Sequence, residues 1–243
     1  MGKNREVEVC FSPAIYASYE NKDAIVVVTD ILRASSAIVT AFMNGVERLI
    51  PVGTLEEAKA YKQKGYMVAA ERDGIVRDFA DFGNSPYNFS KERVHGNEIV
   101  YSTTNGTHAI HLASSGHEVL IGAYLNLTAL AEYVVVSDRD LLILCAGWKN
   151  KFNLEDSLFA GALAQLVLRN HGFTTICDST KGAMDLYNVA KQDMMTYIDN
   201  VAQRHRLKKN GLDDVIEYCH EIDRTKLIPV FRDGAITLIN DSL

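Results

Sequence analysis

AIVVVTDILRASSAIVTAFMNG, residues 24–45, reads as a strand, a loop and a helix in succession. Ala24 to Thr29 is a run dominated by β-branched residues that ends at Asp30, which suits an extended segment buried among neighbours. Ser35 and Ser36 then open a segment whose apolar residues Ala37, Ile38, Ala41 and Phe42 recur at helical spacing. Asn44-Gly45 closes it, as a left-handed terminator closes a helix.

The same rhythm repeats downstream. Leu49 to Val52 reads as a strand, and Thr54-x-x-Glu57 is a capping box that opens a helix running toward Lys64-Gly65. Met67 to Ala70 is a further strand. Ile99 to Ser102 leads through Thr103-Thr104-Asn105-Gly106 into a helix around Ala109 to Ala113, and Val119 to Ile121 precedes another helix capped near Asn126. Leu141 to Leu144 is almost wholly apolar, as a strand covered on both faces must be, and Asn153 caps a long helix over Leu154 to Arg169 that Gly172 ends. Strands alternating with helices predict an α/β fold with a mixed, mainly parallel sheet flanked by helices.

Residues 73–98 break the rhythm with Gly, Asn, Ser, Pro and charged side chains. The stretch is too long for a connector and too rich in Phe and Tyr for a flexible linker, so it is expected to be a functional loop or flap. After Gly182 the chain turns helical and polar, with Arg204 to Lys209 as a basic run that reads as a solvated helix face and Asp213/Asp214 opening a further helix. No linker divides the chain, so residues 1–243 are expected to form a single unit.

The composition narrows the function classes. At 243 residues, 47% hydrophobic and 23% charged, the chain is neither disordered nor fibrous. Thirty-one acidic against 25 basic residues give a net charge of -6, a field that repels polyphosphate, so nucleic acid is not an expected partner. Apolar runs such as Ala24 to Val28 fall far short of the ~18–20 residues a membrane span needs, and Gly2-Lys3-Asn4-Arg5-Glu6 leads into no signal-peptide core. Glu6 stands where a myristoylation motif wants Ser or Thr. Cys10, Cys145, Cys177 and Cys219 are scattered without a C-x-x-C pair, as reduced thiols of a cytoplasmic protein are.

In wound α/β sheets ligands bind beyond the carboxyl ends of the strands, which gives weight to the polar residues that follow each strand here. These are Asp30 and Arg33; Glu71, Arg72 and Asp73; Asn84-Ser85-Pro86; Thr103 to Thr107; and Glu155-Asp156. They offer hard oxygens suited to Mg²⁺, cations suited to an oxyanion, and a Gly-containing turn whose amides can cradle phosphate. Taken singly, each has a plainer reading. Asp30 can cap a helix, Arg33 can pair with Asp30, Asn105-Gly106 can be an ordinary turn, and Glu155 and Asp156 can complement a helix dipole. Trp148 either covers a site or fills a gap. His108 and His111 share a helix face without a third ligand and read as surface. The chain has no P-loop, no G-x-G-x-x-G after a strand, no kinase set and no G-x-S-x-G element, and Leu32 stands where a haloacid-dehalogenase-like phosphatase needs its second Asp.

The ordered strings Asp30-Ile31-Leu32-Arg33-Ala34-Ser35-Ser36, Glu71-Arg72-x-Gly74, Gly83-Asn84-Ser85-Pro86, Thr103-Thr104-Asn105-Gly106-Thr107, Cys145-Ala146-Gly147 and Leu154-Glu155-Asp156 resemble the 2-phosphosulfolactate phosphatase (ComB-like) family. The stretch from His205 through Leu207, Gly211, Asp214 and Cys219 to Val230 resembles its C-terminal part. Ser35-Ser36 departs from the family's usual Thr pair, Ala70 from its Gly, and Arg77 to Phe82 from its approach to the Gly-Asn-Ser-Pro element.

The resemblance implies a ComB-like three-layer architecture. It also implies a Mg²⁺-dependent phosphatase that converts 2-phosphosulfolactate to sulfolactate and phosphate, a step in coenzyme M biosynthesis. On this reading Asp30, Glu71 and Asp156 would hold Mg²⁺, and Arg33 and Arg72 would grip oxyanions. Asn84, Ser85, Thr104, Asn105, Gly106 and Thr107 would bind the substrate or its phosphate, with Asp30, Arg33, Glu71 and Arg72 as the catalytic set. The expected partner is a small anionic molecule, with no membrane, and a homo-oligomer is left open. The competing reading is a non-catalytic small-anion-binding sensor or assembly subunit on the same fold. It leaves the carboxylates beside the anion unexplained unless a metal lies between them.

Overall fold

The computed structural model describes residues 5–137 and 139–239. Within them eleven strands form one sheet: β1 (Arg5–Cys10), β2 (Ile25–Thr29), β3 (Arg48–Pro51), β4 (Met67–Arg72), β5 (Ile75–Val76), β6 (Glu98–Ser102), β7 (Glu118–Gly122), β8 (Leu141–Cys145), β9 (Phe173–Thr174), β10 (Pro229–Arg232) and β11 (Ala235–Leu238). The helices that matter for the site are α1 (Ala34–Met43), α2 (Leu55–Gln63), α3 (Lys91–Val94), α4 (Gly106–Leu112), α5 (Leu127–Val136), α6 (Leu154–Val167), α7 (Asp178–Ala190), α8 (Met194–Ile198) and α9 (Ala202–Lys209). Thr54 and Glu57 form the capping box of α2, each side chain accepting from the other's backbone N–H at 3.0–3.1 Å.

Across the sheet the order is β5-β4-β6-β3-β11-β10-β7-β2-β8-β1-β9. Two parallel blocks result, β4-β6-β3 on one side and β7-β2-β8-β1-β9 on the other. Between them lies the antiparallel hairpin β10–β11, bonded to β7 and to β3. The expected mixed, mainly parallel α/β sheet is therefore present, with the last strands of the chain at its centre. A strand, loop and helix rhythm does not anticipate that insertion.

Because β10 and β11 are antiparallel to each other and to their neighbours, the two blocks point in opposite directions. Strand twist of about 20–25° per step accumulates to roughly 100–125° over the five steps from β6 to β2, which swings the carboxyl ends of the blocks toward one another. The face shared by both blocks encloses α1 and α4. Val26, Val28, Leu142 and Leu144 from one block meet Leu49, Ala69, Ile99 and Tyr101 from the other around Ile38, Ala41 and Ile110. Every α1 residue from Ala34 to Phe42 is buried, as a helix apolar all round requires. On the outer faces, α5, α6 and α7 cover β1, β2, β7 and β8, while α2 covers β4 and β6. Strand β2 is buried on both sides along its whole length.

Residues 73–98 hold β5, a turn at Pro86–Asn88 and α3, and they are anchored by buried Phe82 and Phe89 stacked edge-on with ring centres 5.1 Å apart. No helix among the described residues is long and apolar enough to cross a membrane. The four cysteines are unbonded.

The central position of the hairpin makes a stability test. Ile236, fully buried and paired with Leu49, is expected to lose about 2–5 kcal/mol on Ile236→Ala in denaturant unfolding, although it lies near the end of the chain. Half-buried Thr237→Ala should stay within about 0.5 kcal/mol. Equal, small effects at both positions would contradict the central placement.

Candidate functional site

The loop from β2 to α1 carries the first two groups. Asp30 accepts the Ala34 N–H through Oδ1 at 3.3 Å, and its own N–H donates to Ser35 Oγ at 3.0 Å. Capping is thus part of its role, but Oδ2 is left without a bonded donor and faces Gly106. The peptide between Leu32 and Arg33 is cis. Arg33 is only 4% exposed, yet its guanidinium donates no hydrogen bond among the described residues and has no carboxylate oxygen within 4.0 Å. The plain ion pair with Asp30 is not formed. A buried cation with no acceptor is energetically unfavourable, and a bound anion relieves it.

Gly106 marks where the two blocks touch. A Cβ there would stand 2.5 Å from the Ala34 Cβ and 3.0 Å from Asp30 Oδ2, so only hydrogen lets α4 approach the β2–α1 loop. Asn105 accepts the Lys149 N–H at 3.0 Å and faces the cleft. Thr107 is fully engaged with Thr103: its hydroxyl donates to the Thr103 carbonyl at 3.0 Å and its N–H to Thr103 Oγ1 at 3.2 Å. Thr104 bonds Glu71, and Ser85 lies at the start of the Pro86–Asn88 turn outside the cleft wall.

Glu71, at the end of β4, is buried with both oxygens in use. Oε2 accepts the Gly74 N–H at 2.6 Å and Oε1 the Thr104 N–H at 2.9 Å. It ties the β4–β5 turn to the β6–α4 loop. Arg72 points away from the cleft, donating to the Glu71 carbonyl at 2.7 Å, to Ser102 Oγ at 3.0 Å and to the Gly53 carbonyl at 3.4 Å. Asn84 is buried on the cleft wall with an Oδ1 that has no hydrogen-bond partner.

The first turn of α6 contributes two more carboxyls. Asp156 accepts the Ile31 N–H at 2.9 Å and the Gly147 N–H at 3.1 Å, clamping the β2–α1 loop to the β8–α6 loop. Gly147 adopts φ +63°, and a Cβ there would strike the Lys151 carbonyl at 2.3 Å. Glu155 is fully buried, and neither of its oxygens finds a hydrogen-bond partner. Burial, above all, pushes Asp30 up to about 7, with Glu71 adding to the rise and the Ala34 N–H opposing it. Burial likewise raises Glu155 to about 7, reinforced by Asp30, while burial and the charges of Asp30 and Glu155 push Asp156 well above its ordinary range.

Part of this set lines a narrow cleft, ≈ 30 Å³, room for little more than a water or two, while Glu155 and Asp156 are fully buried and do not line it. Asp30, Arg33, Glu71, Asn84 and Asn105 line it from the loops, and Trp148, Gln203, Arg206 and Asn210 line it from the other wall. Of the residues expected in the site, the structure brings these five together, sets Asp156 and Thr104 behind them, and turns Arg72, Ser85 and Thr107 elsewhere. Arg206 revises the reading of residues 204–209 as a solvated face: it is half-buried, with its guanidinium 4.3 Å from the centre of the Trp148 ring. The run is polar on one side only, with Gln203 and Leu207 buried beneath it, and a basic residue next to a buried Leu was the available signal. Glu155 was visible only as a neighbour of Asp156.

A larger groove, ≈ 810 Å³, opens at the amino ends of β3 and β6. Arg48 pairs there with Glu98 and Arg232 with Glu118, while Glu47 is in no ion pair among the described residues. One buried nitrogen, Arg48 Nε, has no hydrogen-bond partner, but the groove has no unpartnered buried carboxyl or amide oxygen of the kind found beside the cleft.

A buried guanidinium with no acceptor among the described residues, beside an Asp30 oxygen without a bonded donor at strand ends of a wound α/β sheet, is suited to a small oxyanion. The comparisons with known proteins make this specific. The model of a family described as 2-phosphosulpholactate phosphatase matches residues 10–234. A protein of Thermotoga maritima named probable 2-phosphosulfolactate phosphatase is 34% identical over 232 residues, 96% of this chain and 98% of its own. One of Clostridium novyi with the same name is 34% identical over 235 residues, 96% and 99% of the two chains. One of Caldanaerobacter subterraneus, also so named, is 33% identical over 224 residues, 90% and 92%. The chain belongs to the 2-phosphosulfolactate phosphatase family.

Two outcomes follow from this geometry. Gly106→Ala should destabilise by about 1–3 kcal/mol and displace Asp30, despite the better helix propensity of Ala, whereas Gly182→Ala in α7, with open space around it, should be neutral or stabilising. A harmless Gly106→Ala in thermal and denaturant unfolding would refute the close approach. In the metal-free protein, Asp30 and Glu155 keep protons that the unfolded chain releases near pH ~4, so they favour folding at low pH and this contribution is lost as pH rises through about 7. Urea unfolding at pH 5 and pH 8 should show wild type losing stability relative to Asp30→Asn. The reverse slope would contradict the burial of these carboxyls.

Proposed function

We propose that the protein hydrolyses the phosphomonoester of 2-phosphosulfolactate, or of a similarly small anionic organophosphate, giving the hydroxy acid and orthophosphate with Mg²⁺ as cofactor. The observation that carries this reading is Arg33, a nearly buried guanidinium that has no acceptor among the described residues and lies beside an Asp30 oxygen to which none of them donates. The names of the family's relatives supply the substrate.

The donor chemistry fits Mg²⁺. Asp30 Oδ2, both oxygens of Glu155 and Asn84 Oδ1 are hard oxygens without hydrogen-bond partners. Among the described residues no three His, Cys, Asp or Glu side chains converge into a complete metal cage. That is compatible with Mg²⁺, which takes one or two carboxylates and completes its shell with water and substrate phosphate. Asp30 and Glu155 would hold the ion, in place of the full Asp30, Glu71 and Asp156 set, because Glu71 and Asp156 already accept backbone N–H groups. When bound, Mg²⁺ supplies positive charge against the phosphoryl oxygens.

Arg33 offers parallel N–H donors to two phosphoryl oxygens, the planar fork that an oxyanion matches. The closed cleft excludes bulk water and strengthens that contact. Water is taken as the nucleophile, since Leu32 denies Asp30 the carboxylate partner two residues on that a covalent route needs. The water oxygen bonds to phosphorus as the ester P–O bond breaks, and the ester oxygen leaves with a proton. The proton that the attacking water gives up is the one the ester oxygen takes, so the step balances with Asp30 kept as a ligand. A pure anion sensor has no use for these buried carboxylates.

Phosphate release from 2-phosphosulfolactate tests the reading. Turnover is expected with Mg²⁺, to fall to background in a chelator, and to return when Mg²⁺ is restored. No phosphate release under any condition would refute the phosphatase reading, and full activity in chelator would refute the metal.

A further inference from the structure

The cleft contains a second cation that the phosphoryl group does not account for. Arg206 stands on the wall opposite the β2–α1 loop, and its Nε donates to Gln203 Oε1 at 2.6 Å. Gln203, 7% exposed, in turn donates to the Leu32 carbonyl at 2.9 Å. Helix α9 is thereby pinned to the loop that carries Arg33, and the separation of the two guanidiniums is set by this relay. Trp148 supports the flat face of Arg206 from below. Its terminal nitrogens donate to no protein acceptor among the described residues, and no carboxylate oxygen lies within 4.0 Å of the guanidinium. Glu155 bears on Arg206 from inside the protein without coming within 4.0 Å of it, so the terminal nitrogens of the guanidinium stay open to a ligand's anionic group.

We propose that Arg206 is the residue that selects the substrate, binding a non-reacting anionic group, sulfonate or carboxylate, while Arg33 binds the phosphoryl group. This rests on the phosphatase reading above. The preferred substrate is then a small molecule with two or more anionic groups, spaced to reach across the cleft. Trp148 and Gln203 are positioning residues, one holding the plane of the guanidinium and the other its distance from Arg33. Of the other cations near the site, Arg72 is excluded from this role by its bonds to the Glu71 and Gly53 carbonyls and to Ser102, and Lys149 by its ion pair with Asp73 at 2.8 Å.

Three esters separate the possibilities when assayed with Mg²⁺ on the same preparations: 2-phosphosulfolactate, 2-phospholactate without the sulfonate, and isopropyl phosphate without either acid. The quantity read is the ratio of kcat/KM for each acid-bearing ester to that for isopropyl phosphate, which is independent of the folded fraction of a variant. In Arg206→Gln the ratio for 2-phosphosulfolactate is expected to fall about 10- to 100-fold, chiefly through KM, the size of one charge-assisted contact. Arg206→Lys should recover part of it. A fall shared by 2-phospholactate assigns the carboxylate to Arg206, and a fall confined to 2-phosphosulfolactate assigns the sulfonate. An unchanged ratio overturns the proposal, whether because Arg206 only packs on Trp148 or because it shares the phosphoryl group with Arg33. A wild-type protein inert toward all three esters would overturn the phosphatase reading instead, and this assignment with it.

Discussion

Arg33 is a full positive charge held almost out of water with no acceptor for its guanidinium hydrogen bonds among the described residues. Such burial opposes folding by several kcal/mol unless the remaining structure holds it in place. What holds it is a strand buried on both faces leading into a helix buried all round, so the loop between them reaches solvent only through the cleft. The nearby carboxyls do not cancel the charge by direct pairing. Asp30 is turned to the start of α1, Asp156 to the Ile31 and Gly147 N–H groups, and Glu155 to no donor at all. Opposite charges are kept close and apart, an arrangement that destabilises the empty site and favours whatever oxyanion and cation fill it.

That arrangement depends on bringing strand ends from two oppositely directed blocks to one place. The β10–β11 hairpin sets the reversal, the twist accumulated across it turns the ends inward, and Gly106 allows the final contact. Glu71 and Asp156 then act as clamps between loops: one joins β4 to the β6–α4 loop, the other joins β2 to the β8–α6 loop. A carboxylate that accepts two backbone N–H groups organises a site whether it lines it, as Glu71 does, or stands behind it, as Asp156 does, and this explains how residues of the same type come to have different tasks.

Much of this was legible in the sequence, because the β2–α1 segment, the capping box at Thr54 and the apolar run at Leu141 each combine local propensity with burial. The loops after the strands also point to Asp30, Arg33, Glu71, Asn84 and Asn105, which line one cleft. The hairpin was missed although Asp233-Gly234, with both residues at positive φ, is the turn that favours it. Its place between β7 and β3 is a long-range pairing that no local pattern records. In the sequence Arg206 reads as solvated surface because the basic run around it is exposed on its other side. Only the docking of α9 through Gln203 and Leu207 turns one of its cations inward. Asp156 and Glu155 are adjacent in sequence, and which one faces the unpartnered space depends on the phase of α6 against the Gly147 turn.

The central claim is that Arg33 is retained for an oxyanion at the expense of stability. The most direct test is the unfolding free energy of wild type and Arg33→Met, with and without orthophosphate. The account predicts that wild type is stabilised by phosphate, while Arg33→Met is more stable than wild type without phosphate and indifferent to its addition. An Arg33→Met protein that is less stable than wild type and still responds to phosphate would contradict it.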